Sequence, residues 1–354
     1  MDWMTGVSFK GCDFDVGLPS PSYELFVWKP CDQQADCEEA VWAVPRPAEG
    51  REVLADINHE PSRERLWVQL QVGTAQFYTD LEGRALSAVR PTPPCVLLFP
   101  STDGDHFVAG VTDGEAEAVI SGTIGEPGLA LWTPLSSVGE NVLGAKRFVF
   151  RPTQSIDAAT GGDYRVLTSK ADAVGDVYAF EKLTPELFLF EAVMAPPKSP
   201  TGTSRTILVS DGLATPTPWL AETDGGEDAT IKNAGSHVAW VRGFGLKKLN
   251  VYDSVEIWAA GLDASGSPVD PKKIESVEGG TANAVSAVGG HGRMAAVFNV
   301  DRARVCDLAA SACHDVPFPI PPNDPKVYFS RLVGLTSTHL WIVLSNERML
   351  RLKL

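Results

Sequence analysis

Long apolar runs, basic clusters and closely spaced ligand motifs are missing from this 354-residue chain, and each absence removes a class of function. The longest apolar stretches, such as Leu187 to Phe190 followed by Ala192-Val193-Met194, are broken by Glu191 and stop at Pro196-Pro197. They fall short of the roughly 18 to 20 residues that cross a bilayer as a helix, so no transmembrane segment is expected. Thirty Lys and Arg face 45 Asp and Glu, a formal net charge of −15. No Lys/Arg face with interleaved aromatics offsets the repulsion of a phosphate backbone, and nucleic acid is not an expected partner. The six histidines stand singly with no HExxH pair, and there is no CxxC and no GxSxG elbow. Zinc knuckles, redox dithiols and a serine-hydrolase elbow are therefore without support, and no cofactor or metal is expected. A long amphipathic helix is absent too; the best candidate, Pro185 to Met194, is short and rich in β-formers.

What is present points to strands. Hydrophobic residues make up 44% and charged residues 21% of the chain, a globular balance. Thirty-two Gly and 26 Pro are spread along its whole length, so turns come often and everywhere. The last sixteen residues, His339 to Leu354, read as a hairpin: an apolar run to Leu344, a turn at Ser345-Asn346-Glu347, then Met349, Arg351 and Lys353 alternating with Leu350, Leu352 and Leu354. Upstream copies begin with Tyr23–Trp28 returning at Ala40–Val44, Arg65–Leu70 returning at Gln76–Tyr78, and His106–Val111 returning at Ala118–Ile120. Glu24, Arg65, His106 and Arg147 are each 41 residues apart. Less regular copies pair Tyr164–Leu167 with Asp176–Phe180, Thr206–Val209 with Trp219-Leu220, His237–Val241 with Val255–Ala259, and Met294–Phe298 with Arg304–Cys306.

Units of this length with three or four short strands predict an all-β chain folded as a single β-propeller domain over residues 1–354. Eight hairpins can be counted, but Thr206 to His237 is short for a whole blade. Seven blades are expected, with eight as the alternative. The C-terminus supplies only two strands after His339, so N- and C-terminal strands together are expected to close the ring, the N-terminal partner being Thr5 to Asp15. Closure removes the sheet edges that invite aggregation.

Gly-Asp-Val-Tyr-Ala-Phe at 175–180 and Val-Glu-Ile-Trp-Ala-Ala at 255–260 resemble third-strand motifs of bacterial propellers, including quinoprotein-like and TolB-like groups. His-Val-Ala-Trp at 237–240 resembles the strand before such a motif. The resemblance implies architecture and carries no functional residue with it.

The six cysteines include two close pairs, Cys31/Cys37 and Cys306/Cys313, spaced to clip hairpin turns, and Cys12 with Cys95 remain as a long-range pair. Such usage implies a periplasmic or extracellular chain. Met1-Asp2-Trp3 has neither the basic start nor the apolar core of an export signal, so this reading requires a leader already removed.

Candidate binding residues are few. Gly289-Gly290-His291-Gly292-Arg293 places His291 and Arg293 beside glycines that let backbone approach a ligand. Ser101-Thr102-Asp103-Gly104-Asp105-His106-Phe107 resembles the Asp-box turn of sialidase-like propellers, with Asp105 where that motif has Gly; Asp103 and Asp105 also suit an ordinary β-turn. Trp219, in a Pro-rich stretch, could stack on a sugar or peptide. Gly243-Phe244-Gly245 has Lys248 where a dinucleotide fingerprint needs Gly and reads as a hairpin turn. The polar residue opening each second strand (Glu24, Arg65, His106, Arg147, His237, His339) reads as capping or rim solvation, on the face opposite the one propellers usually use for ligands. The expectation is an exported, monomeric, non-enzymatic module that binds a protein, peptide or glycan. The alternatives are a carbohydrate-active hydrolase or lyase with a carboxylate-lined funnel, and a scaffold subunit of an envelope assembly.

Overall fold

The computed structural model describes residues 4–5, 14–17, 26–31, 34–42, 54–61, 64–70, 76–91, 95–112, 117–123, 129–132, 141–150, 154–167, 174–194, 205–220, 228–245, 252–278, 286–299, 301–320, 326–345 and 348–354. Every regular element among them is a strand, and no helix there is long and apolar enough to cross a membrane. The strands form seven antiparallel sheets, the blades of one propeller.

Blade 1 is Leu54–Glu60, Arg65–Leu70, Gln76–Asp80 and Ala85–Pro91. Blade 2 is Val96–Asp103, His106–Thr112, Glu117–Thr123 and Leu129–Trp132. Blade 3 is Asn141–Leu143, Arg147–Phe150, Gln154–Asp157 and Arg165–Val166, and blade 4 is Val174–Thr184, Leu187–Met194, Arg205–Ser210 and Thr217–Pro218. Blade 5 is Asp228–Asn233, His237–Phe244, Ser254–Leu262 and Pro268–Glu278, and blade 6 is Ser286–Gly290, Arg293–Asn299, Arg302–Asp307 and Ala312–Pro317. Blade 7 begins with Phe329–Leu335, His339–Leu344 and Met349–Lys353.

First strands of neighbouring blades pack on one another around an axis, so each blade runs from the axis outward. Antiparallel pairing then puts the turns between first and second strands, and between third and fourth, on one face, here the front. The turns between second and third strands lie on the back.

Seven blades replace eight hairpins because two of the expected copies share one blade and one straddles a boundary. Arg165–Val166 is the outer strand of blade 3 while Val174–Thr184 is the inner strand of blade 4, and Arg205–Ser210 belongs to that same blade 4. The hairpin that opens the chain is not a blade either. Gln34–Trp42 pairs with Met349–Lys353, and Phe26–Cys31 pairs outside it, so both are outer strands of blade 7. The ring is therefore closed by strands from both termini, but not through Thr5 to Asp15. The described parts of that region edge other blades: Met4 pairs opposite Leu131 in blade 2, and Phe14 opposite Pro91 in blade 1. Charge explains the choice. The C-terminal strand presents Arg351 and follows Arg348, and Gln34–Trp42 answers with Glu38 and Glu39, Arg348 Nε donating to Glu39 Oε1 at 2.7 Å. Glu24 lies outside the described residues.

Second strands are sandwiched between neighbouring blades, which is why they read as unbroken apolar runs and not as alternating ones. Arg147–Phe150 is buried at every position and His237–Phe244 at all but its ends. Between blades 2 and 3 the core is Val108 and Val119 against Phe148 and Phe150; between blades 3 and 4 it is Val149 and Leu167 against Phe188, Phe190 and Leu208; between blades 4 and 5 it is Trp219, Trp240 and Ile231. Cys31–Cys37 and Cys306–Cys313 are disulfides, each across a hairpin as expected. Cys95 is buried and also disulfide-bonded, and Cys12 lies outside the described residues.

Candidate functional site

The blades are tied to one another along the front face at every junction, by hydrogen bonds at six of them. Arg65, buried at the start of its strand, donates through Nη2 to Gly104 O at 2.7 Å and to Asp105 Oδ1 at 3.0 Å, tying blade 1 to blade 2. Ser101 Oγ of blade 2 accepts from Leu143 N of blade 3 at 2.8 Å, and Ala145 N of blade 3 donates to Pro185 O of blade 4 at 2.7 Å. Asn233 Nδ2 of blade 5 donates to Lys182 O and Leu183 O of blade 4 at 2.8 and 3.0 Å. Gly292 N of blade 6 donates to Ala234 O of blade 5 at 2.7 Å, and Arg293 Nη1 donates to Ser337 O of blade 7 at 2.9 Å. The seventh junction is made by rings: His59 of blade 1 stacks on Trp341 of blade 7, centroids 6.1 Å apart. Two residues that open second strands thus work within this seam, Arg65 buried and Arg293 partly exposed.

Where these turns meet the axis they leave a cavity of about 390 Å3, lined by Glu60, Pro61, Glu181, Lys182, the 233–236 turn and the 290–292 turn. Four sequence candidates come to this region of the front face. His291 lines the cavity, and Asp103 receives Lys182 Nζ at 2.9 Å. Asp105 stands one residue further round that turn and holds Arg65. Arg293 opens the strand beside them, its guanidinium committed to Ser337 O. Trp219 is elsewhere. It is 7% exposed between blades 4 and 5, edge-on to Trp240, with its indole N–H on Gly266 O at 2.9 Å, so no ring face is open to a ligand.

The glycines around His291 prove to serve the neighbouring blades. A Cβ on Gly289 would lie 2.5 Å from Asn233 O of blade 5, and one on Gly290 2.5 Å from Leu335 O of blade 7, so only glycine lets the inner strand of blade 6 sit this deep.

Two residues at the mouth escaped the sequence reading. Glu64, in the first turn of blade 1, reaches over blade 7 to pair with His291 Nε2 of blade 6, and its other carboxylate oxygen lies 3.8 Å from His59 Nε2. Burial raises the Glu64 pKa, but contacts with His59 and His291 outweigh it and hold the carboxyl below its ordinary value. Both partners of this pair have left-handed backbone, φ 50° at Glu64 and 52° at His291. Such conformations are uncommon outside glycine and concentrate at functional positions. The available signal was positional: Glu64 and His291 both fall in the turn just before a second strand.

A smaller hollow, about 250 Å3, lies toward the back face between blades 5 and 6. Its ionic groups are consumed among themselves, Arg304 donating to Glu275 Oε2 at 2.8 Å and to Asp315 Oδ1 at 3.1 Å.

No protein-family model matches the chain, and no curated protein matches it in sequence. Its fold does have solved counterparts. A catalytically inactive variant of virginiamycin B lyase from Staphylococcus aureus, crystallised with quinupristin, superposes with TM-score 0.52 at 11% identity, covering 90% of this chain and 99% of that one. The β-propeller domain of Myceliophteria thermophila Cps50 (Swd1) gives 0.55 at 11% identity over 85% and 97%. A complex of Atg21 with the coiled coil of Atg16 gives 0.52 at 10% identity over 83% and 92%. At such identities the likeness concerns the fold: a seven-bladed β-propeller.

Proposed function

We propose that this chain is an exported, non-enzymatic recognition module that receives a protein or peptide segment at the front mouth of its channel. The observation that carries the reading is the cavity of about 390 Å3 at the axis, walled by turns from blades 1, 4, 5 and 6. A concave site on a pre-bonded rim loses little conformational freedom when it binds. Interaction through this fold is exemplified by the Atg21 complex with a coiled coil. The disulfides of blades 6 and 7 support a periplasmic or extracellular setting.

A second reading, hydrolysis or elimination on a carbohydrate, is favoured by Glu60 and Glu181 lining the cavity together with His291, an arrangement that offers carboxylates and an imidazole for proton transfer. Peptides selected on the immobilised protein from a displayed random library test the first reading. Ser236 lines the mouth and is exposed, so Ser236→Trp fills the mouth without disturbing the core. The expected result is binding weakened by about tenfold or more, roughly 1.4 kcal/mol. Selected peptides that bind Ser236→Trp as tightly as the parent would overturn the reading.

A further inference from the structure

We infer that the occupant of the front mouth is a basic segment, a stretch of protein that lowers a lysine or arginine side chain into the cavity. The inference rests on the mouth being a peptide site and adds what that site selects.

The first observation is that the side-chain donors of the lining are already committed. Lys182 Nζ donates to Asp103 Oδ1 at 2.9 Å and to Thr102 O at 3.2 Å. Asn233 gives Nδ2 to two carbonyls of blade 4 and accepts from Gly235 N at 2.9 Å through Oδ1. Ser236 Oγ lies 2.9 Å from His237 Nδ1, and His291 holds Glu64 through Nε2. Pro61, Ala234, Gly235, Gly290 and Gly292 complete the wall and bring no polar side chain to it. A ligand that needs donors from the lining would have to break bonds already made, at the full cost of the group left behind.

The second observation is the sign of the charge that faces the cavity. The lining sets Glu60 and Glu181 against Lys182, and the charge of Lys182 is matched by Asp103. The cations nearest the two glutamates stand behind the wall: Lys232 lies 3.2 Å from Glu181, and Arg65 divides itself between Glu60 at 3.7 Å and Asp105 at 3.0 Å. At the rim, Glu64 is held by His59 and His291 and by no Lys or Arg among the described residues. Those contacts keep its carboxyl below the ordinary pKa, so it stays ionised. An entering side chain thus meets carboxylates first. The back hollow gives the contrast, with Arg302 and Arg304 in its lining matched by Glu275 and Asp315.

The third observation is size. At about 390 Å3 the cavity stands near the lower end of ligand pockets, about 300 to 1,000 Å3, which suits one long side chain and the backbone around it. The apolar stem of a lysine or arginine matches Pro61 and the glycine turns, and its charged head reaches the glutamates. An ion pair made in such a recess is stronger than one on open surface. The net charge of −15 on the whole chain steers a basic partner inward over longer range.

Panning a displayed random peptide library on the immobilised full chain, followed by titration of the selected peptides by fluorescence anisotropy, tests the inference. The selected peptides are expected to share a lysine or arginine. Replacing that residue by norleucine, which keeps an apolar stem and removes the charge, should weaken binding by about tenfold or more, and added salt should weaken the parent peptide more than its norleucine form. Two protein variants should move in opposite directions. Glu181→Gln weakens the basic peptide and leaves its norleucine form unchanged, whereas Lys232→Gln takes the nearby cation from Glu181 and tightens the basic peptide. Both side chains are partly exposed, and unchanged melting curves would show that both variants fold. Selected peptides that share no basic residue, or norleucine forms that bind as tightly as their parents, overturn this inference and leave the peptide reading standing. A library that yields no binder overturns both.

Discussion

Single residues carry the front face through burial as much as through charge. Arg147 is 4% exposed, and its guanidinium donates to Ser155 Oγ at 2.7 Å and to Asp163 Oδ2 at 3.0 Å. Arg147→Ala leaves the buried Ser155 hydroxyl without its donor, while the half-exposed Asp163 keeps Arg165, so the variant should cost about 1 to 3 kcal/mol in urea unfolding. Trp219 separates packing from hydrogen bonding. Trp219→Phe keeps most of the ring but orphans Gly266 O and should cost about 1 to 3 kcal/mol, against about 3 to 5 for Trp219→Ala. No measurable loss in Trp219→Phe would show that the indole N–H contributes nothing. Two histidines set an acid response. Burial pushes His106 below its ordinary value, only partly opposed by Asp103, and burial followed by Arg351 does the same to His339 against the pull of Glu38 and Glu82. With folded values below 6.5, the unfolded chain takes up protons first. Their contribution is therefore complete above the ordinary histidine pKa, declines as pH falls through it, and levels off once the folded forms also protonate. The melting temperature should drop between pH 7.5 and 5.5, and His106→Gln should shrink that drop; an unchanged slope would remove His106 from the account.

At the scale of elements, the ring is held shut inside blade 7, where the Met349–Lys353 strand is flanked by His339–Leu344 and by Gln34–Trp42 from the other terminus. Deleting residues 339–354 removes two central strands of that blade and should abolish soluble folding; a soluble truncation that melts cooperatively would contradict the closure. Cys31→Ser with Cys37→Ser should cost only about 2 kcal/mol, because the loop it clips is short, with a sequence separation of 6. Much of this was legible in advance. Arg65, His106 and Arg147 do open equivalent second strands, so three blades could be placed by period alone. The interval from Glu24 fitted by coincidence, since a hairpin reads the same whether it forms a blade's middle or its rim. Tyr164 to Phe180 misled for a related reason: two β-rich runs around a turn do not reveal whether the chain has crossed from one blade to the next. Nor could Thr5 to Asp15 be excluded as the closing strand, because the matching of Glu38 and Glu39 with Arg351 and Arg348 links residues more than 300 positions apart.

For the whole molecule, seven blades tied junction by junction make the front face a continuous rim around the cavity of about 390 Å3, while the ionic groups of the back hollow are spent on each other. His291 was visible as a candidate because it stands among glycines, although those glycines turn out to admit the backbones of blades 5 and 7. Its partners were not visible. Glu64 and His59 lie more than 200 residues away and meet it only because the ring curls blade 1 round to blade 6 across blade 7. The account's central claim is that recognition occurs at this front mouth. Hydrogen–deuterium exchange of the full chain, with and without a selected peptide, tests it most directly. Protection is predicted around residues 59–64, 181–182, 233–236 and 290–292. Protection concentrated instead at residues 275–277 and 298–304, beside the back hollow, would contradict it.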